Sequence, residues 1–112
     1  IMDKIEKYQQ FIKQILKKHA ELSPGHDTVK AELIFDKENH HYQLNYVGWE
    51  GNQRVFGPVM HFDIINEKIW IQYNGTEEYV AQTLVDLGVP NSDIVIGFHS
   101  PFKRQFTCYA VE

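Results

Sequence analysis

His61 and Asp63 stand two residues apart in an apolar stretch, residues 55–65, that reads as a β-strand. Side chains at i and i+2 of a strand share a face, so an imidazole and a carboxylate lie side by side there. That pair could begin a metal site or a proton relay. It could also be a plain hydrogen-bonded pair at a sheet rim or a subunit interface, because a dependable metal site needs more ligands than the sequence places there. The adjacent His40 and His41 would point to opposite faces of a strand. A second candidate is the loop Gly97-Phe98-His99-Ser100-Pro101-Phe102-Lys103-Arg104, where glycine, proline and aromatics flank three potential cations. Lys103 and Arg104 could donate to an anion or a partner; the plainer reading is a structural turn whose aromatics pack on a sheet. Cys108, the only cysteine, lies in a run of extended character and reads as a small hydrophobe rather than a nucleophile. Asn74-Gly75-Thr76 precedes a helix, but it lacks the lysine and glycine pattern of a phosphate loop. Trp49 and Trp70 read as core or interface anchors.

Those residues depend on a hairpin over residues 55–75, two apolar runs joined by Asn66-Glu67-Lys68. Its second run, residues 69–73, places Ile69, Ile71 and Tyr73 on one face and Trp70 and Gln72 on the other. Gly57-Pro58 interrupts the first run, and proline has no N–H for a central ladder, so a bulge or an edge is expected there. An amphipathic helix is predicted over residues 2–22, with Met2, Ile5, Tyr8, Ile12, Ile15, Leu16 and His19 on one face. Ser23-Pro24-Gly25 ends it. Its lysines read as a solvated face. Strands follow over residues 28–36 and 41–49, then a second helix over residues 77–87. Thr76 is the expected N-cap, accepting from the Tyr79 N–H, with Tyr79, Val80, Thr83, Leu84 and Leu87 inward. Gly88 ends that helix, residues 94–98 form a fifth strand, and residues 102–111 form a last extended piece. The expectation is a single α+β domain over residues 1–112 in two layers: an N-terminal helix, a four-stranded mostly antiparallel meander, a second helix and one or two C-terminal strands.

With 112 residues, the chain is long enough for one core. A net charge of −4 argues against a freestanding DNA-binding module and favours protein partners. One cysteine excludes an intrachain disulfide and suits a reducing compartment, here the cytoplasm. No apolar run approaches the roughly 20 residues of a membrane helix. The charged N-terminal stretch is not a signal peptide, and Met2 is a candidate natural start behind Ile1.

Several blocks together resemble the XisI family. They are Met2-Asp3-Lys4-Ile5-Glu6-Lys7-Tyr8, His41-Tyr42-Gln43-Leu44 with Val47-Gly48-Trp49, and Ile69-Trp70-Ile71-Gln72-Tyr73-Asn74-Gly75-Thr76-Glu77-Glu78. Leu87-Gly88-Val89-Pro90, Asp93-Ile94-Val95-Ile96-Gly97-Phe98-His99 and residues 101–110 complete the match, which runs in order along nearly the whole chain. The resemblance implies an fdxN element excision controlling factor, a protein of filamentous cyanobacteria associated with excision of a DNA element during heterocyst differentiation. It implies action beside an XisF-like recombinase and an XisH-like companion protein. It brings no catalytic residue, cofactor or metal with it.

The first reading is thus a non-enzymatic regulator of DNA recombination that contacts an XisH-like protein, with a homodimer expected because the irregular edge at Gly57-Pro58 needs cover. Trp49, Arg54, His61, Asp63, His99, Lys103 and Arg104 are the candidate partner-binding residues. The alternative is a direct DNA-binding accessory factor, which requires Arg54, Lys103, Arg104 and the helix lysines to converge on one surface. A third reading is a small metal-binding enzyme built on His61, Asp63 and His99.

Overall fold

The computed structural model describes residues 3–112; the expected helical position Met2 lies outside them. Helix α1 spans Lys4–Leu22. Asp3 caps it by accepting a hydrogen bond from the Glu6 N–H at 2.9 Å, which satisfies one of the orphan donors of the first turn. The apolar spacing buries Tyr8, Ile12, Ile15 and Leu16 on one face. Six strands follow as one sheet in sequence order: β1 (Gly25–His26), β2 (Val29–Asp36), β3 (His41–Glu50), β4 (Gln53–Ile65), β5 (Lys68–Asn74) and β6 (Ile94–Ile96). All neighbours pair antiparallel except β5 and β6, which run parallel. A parallel pair needs a crossover. Helix α2 (Val80–Asp86) and a 3-10 turn (Asn91–Asp93) supply it. A short helix α3 (Pro101–Arg104) follows β6.

The pleat gives the sheet two unlike faces. Tyr42, Leu44, Met60, Phe62, Ile64, Ile69 and Ile71 face α1, together with Val80 and Leu84 of α2 and Ile94 and Ile96 of β6, and form the core. The α+β, helix-on-sheet architecture thus follows the expectation. Gly48 shows one backbone constraint behind it: a Cβ there would lie 1.9 Å from the Thr28 carbonyl oxygen, so only glycine lets β2 approach β3 at that point. The β4–β5 hairpin turns through Asn66 and Glu67, both in the left-handed region at φ 52° and 63°, the conformation that matches the twist of the paired strands.

Several local expectations are corrected. Helix α2 begins at Val80 rather than at residue 77. Thr76 does not cap it: its hydroxyl accepts from the Glu78 N–H at 3.2 Å and donates to Asn74 Oδ1 at 2.6 Å. The Asn74 amide also donates to the Glu78 carbonyl at 2.9 Å. These bonds close residues 74–78 into a loop that competes with the helix for the same backbone groups. Val80 and Leu84 are buried as expected, but Tyr79 and Thr83 face outward. Tyr73 leaves the face of Ile69 and Ile71, because a bulge at Gln72 shifts the register against β4. Strand β6 stops at Ile96. Residues 102–111 are not an extended piece. Ser100 accepts from the Lys103 N–H at 3.3 Å and Pro101 opens a helical turn, and only Ala110 returns to bridge Val95.

One polar tie links α1 to the far edge of the sheet. The Tyr8 hydroxyl donates to Asp93 Oδ2, and Lys4 Nζ lies 2.9 Å from the same oxygen. Burial works against the Asp93 carboxylate, but the bonds from Tyr8 and Lys4 prevail and its pKa is lowered. Burial and the bond to Asp93 push the Tyr8 hydroxyl above its ordinary value of 10.0. Tyr8→Phe should lower the unfolding free energy by about 2 kcal/mol near neutral pH, as expected for a lost hydrogen bond to a charged group. A lowered carboxyl pKa stabilises above the unfolded value and loses that contribution as pH falls. A raised phenol pKa stabilises below pH 10.0 and loses its contribution as pH rises further. The gap between wild type and Tyr8→Phe in urea midpoints should therefore narrow at both extremes. A gap that stays constant from acid to alkali would contradict the tie.

Candidate functional site

The face of the sheet turned away from α1 carries the polar and aromatic side chains of interest. On β3 and β4, the paired residues His41 and Asp63, Gln43 and His61, Asn45 and Pro58, Val47 and Phe56, and Trp49 and Arg54 share this face. Asp63 is buried, with 8% of its surface exposed. A buried carboxylate is costly unless donors surround it. Three do. His41 Nδ1 and His61 Nε2 each lie 2.8 Å from Asp63 Oδ1, and Gln72 Nε2 donates to Oδ2 at 3.1 Å. Burial alone would raise the Asp63 pKa, but hydrogen bonds from His41, His61 and Gln72 lower it overall. The bond to Asp63 holds the His41 pKa above its ordinary value, against the opposing effect of burial. The bulge at Gln72 gives this amide its reach to Asp63.

The structure thus brings His61 and Asp63 together as their spacing predicts, and adds His41. His99 is not part of the group: among the described residues, only His41, His61 and Asp63 form a set with metal-ligating atoms within 4.8 Å of one another. Sequence reasoning missed His41 because its partner is set by strand register and not by spacing along the chain.

At the other end of the same two strands, Arg54 Cζ lies 5.4 Å from the ring centroids of both Trp49 and Phe56. Its Nη1 donates to the Gly48 carbonyl at 3.3 Å. Such stacking holds a guanidinium over an aromatic surface. Trp49 is 52% exposed and Phe56 74% exposed, so neither is a core anchor. Ile34 on β2 is exposed farther along this face, across from Gln43, and a shallow groove runs between Ile34, Gln43, Val47, Phe56 and Pro58.

Farther along, near β5 and β6, the C-terminal segment covers the same face. Arg104 lies 5.0 Å from the Trp70 ring centroid and donates to the carbonyls of His99 at 3.0 Å, Gly97 at 3.3 Å and Val111 at 3.4 Å. Its donors therefore go to the chain's own backbone. Lys103 is exposed on α3, and the His99 ring packs against Phe98 at 4.8 Å between centroids. Arg54 and Arg104 thus belong to separate clusters, one on the β3–β4 hairpin and one over β5.

The profile of the family described as XisI protein matches residues 2–111. The chain belongs to the XisI family. The XisI fold recurs in the solved structure of a XisI-like protein from Anabaena variabilis ATCC 29413. That chain is 44% identical, with a TM-score of 0.92 over 96% of this chain and 99% of the other. It recurs again in the fdxN element excision controlling factor XisI from Anabaena variabilis ATCC 29413, which is 36% identical with a TM-score of 0.88 over 98% of this chain and all of the other. No curated protein matches the chain. No helix among the described residues is long and apolar enough to cross a membrane.

Proposed function

We propose that this XisI-family chain is a regulatory accessory protein, not an enzyme. It acts on DNA element excision by binding an XisH-like partner and, through it, an XisF-like recombinase. The observation that carries the reading is the uncovered sheet face over β2–β4, where Trp49 and Phe56 stand exposed around the Arg54 stack and Ile34 is exposed farther along the same face. Aromatic residues and arginine at the centre of a patch are what protein interfaces use as anchors. The excision role comes from the name of the Anabaena XisI structure. A homodimer would use the neighbouring strand edge and leave that face open: residues 53–58 of β4 pair with β3 only, because β5 pairs from Met60 onward, and this leaves an open edge beside Gly57-Pro58. The action is placed in the cytoplasm, beside the DNA element.

Co-expression with the XisH-like companion, read by size and mass, tests the proposal. We expect a stable complex, and a dimer mass for the chain alone. Trp49→Ala with Phe56→Ala should weaken the complex by about 100-fold, the scale of two interface anchors, while the variant stays folded. A complex indifferent to both substitutions, or no complex, would overturn the docking surface.

A further inference from the structure

The His41, His61 and Asp63 cluster supports an inference that stands apart from the docking reading. We propose that these three side chains form a binding site for a divalent transition-metal ion, zinc(II) foremost. The first argument is convergence. Two imidazole nitrogens point at the same carboxylate oxygen, each at 2.8 Å. A tetrahedral zinc ion with bonds of about 2.0–2.1 Å holds its ligand atoms about 3.3 Å apart; each nitrogen would withdraw from Oδ1 by about half an ångström, and the two nitrogens, within 4.8 Å of each other, would settle to the same spacing by rotation of the His41 and His61 rings. The second is donor type. Two imidazoles and one carboxylate suit zinc and its first-row neighbours better than calcium or magnesium, which prefer oxygen alone.

The third argument is the division of donors between the two oxygens. Both histidines go to Oδ1 and complete a three-ligand set with it, while Oδ2 is held by Gln72. Gln72 then has the part that outer residues play in metal sites: its bond to Oδ2 orients the carboxylate and leaves Oδ1 for the ion. The fourth argument is access with rigidity. All three ligands sit on the paired strands β3 and β4, with His41 directly across from Asp63. The His41 side chain is 53% exposed, which leaves an entry path and room for a fourth ligand, a water or a group from a partner. His99, whose ring packs on Phe98, lies outside the set.

Isothermal titration of the untagged, chelator-treated chain with zinc chloride tests the site. We expect one ion per chain with a Kd of about 1 µM or tighter. His41→Ala and His61→Ala should each weaken binding by about 100-fold, and Gln72→Ala by about 10-fold, the range typical of outer-shell residues. His26→Ala, which removes an exposed histidine on β1, should leave the Kd unchanged. Far-UV circular dichroism and a thermal melt of each variant separate lost binding from lost folding. If Asp63→Asn fails to fold, the two histidine variants still decide the question. Binding weaker than about 100 µM, or the same loss in His26→Ala as in His41→Ala, would overturn the site.

Discussion

Phe62→Ala will lower the unfolding free energy by about 3–5 kcal/mol, while Phe56→Ala, on the same strand, will change it by less than about 1 kcal/mol. Six residues apart, they would share a face of an unbroken strand, but the extra residue Val59 turns them to opposite faces. Phe62 is fully buried among the core residues facing α1 and α2. Its removal loses the transfer energy of a phenyl group and leaves a cavity that the rigid strands on either side cannot collapse. For a domain whose stability is about 5–15 kcal/mol, that is a large fraction. Phe56 faces the open side, 74% exposed, and touches Arg54 at cation–π distance. Urea denaturation of both variants checks the pair. A loss at Phe56 equal to that at Phe62 would mean that the β2–β4 face is covered in solution, as a dimer joined face to face, and not at the β4 edge, would cover it. It would then have to depend on protein concentration.

The contrast between these phenylalanines also marks how far the sequence was legible. The meander came through because its signals are local: alternation in each run, a polar turn at Asn66-Glu67 and an interruption at Gly57-Pro58. The site was half legible. His61 and Asp63 share a face by their spacing alone, whereas His41 reaches Asp63 only through register. The β3–β4 ladder opens with Glu50 across from Gln53 and keeps one register as far as Asn45 and Pro58. Continued unbroken, it would have set His41 across from Phe62 on the open face and turned Asp63 toward the core. A one-residue bulge at Val59 shifts the ladder and brings Asp63 round to His41. The proline announced an irregularity but not which residue would be extra. The C-terminal segment was misread for a related reason. Residues 102–111 have strand-like composition, but the Ser100-Pro101 cap and the carbonyl bonds of Arg104, three to seven residues apart, override that propensity, and the Arg104 stack on Trp70 adds a contact distant in sequence.

Arg104→Ala should therefore act as a folding defect of the C-terminal segment and not as the loss of a surface cation. The guanidinium joins three carbonyls, of His99, Gly97 and Val111, and stacks on Trp70. Two of those bonds are long, so about 1 kcal/mol each is a fair scale, with about 0.5–1 kcal/mol more from the stack. The expected cost is about 3.5–4 kcal/mol, concentrated in residues 97–111. Arg104→Lys should recover little of it, because an ammonium offers no planar fork to span three acceptors or to lie flat on an indole. Lys103→Ala, one residue earlier and exposed on α3, should cost less than about 0.5 kcal/mol. Hydrogen exchange is the discriminating measurement. In Arg104→Ala the amides of β6 and of Ala110, which bonds to the Ile94 carbonyl at 2.8 Å, should lose protection while those of β3 keep theirs. Were Arg104→Ala as stable as wild type but defective in binding DNA, Arg104 would be a free cation and the accessory DNA-binding reading would gain what the docking reading lost. The geometry opposes that outcome, because a guanidinium bonded to three carbonyls and stacked on an indole has little left to offer a phosphate.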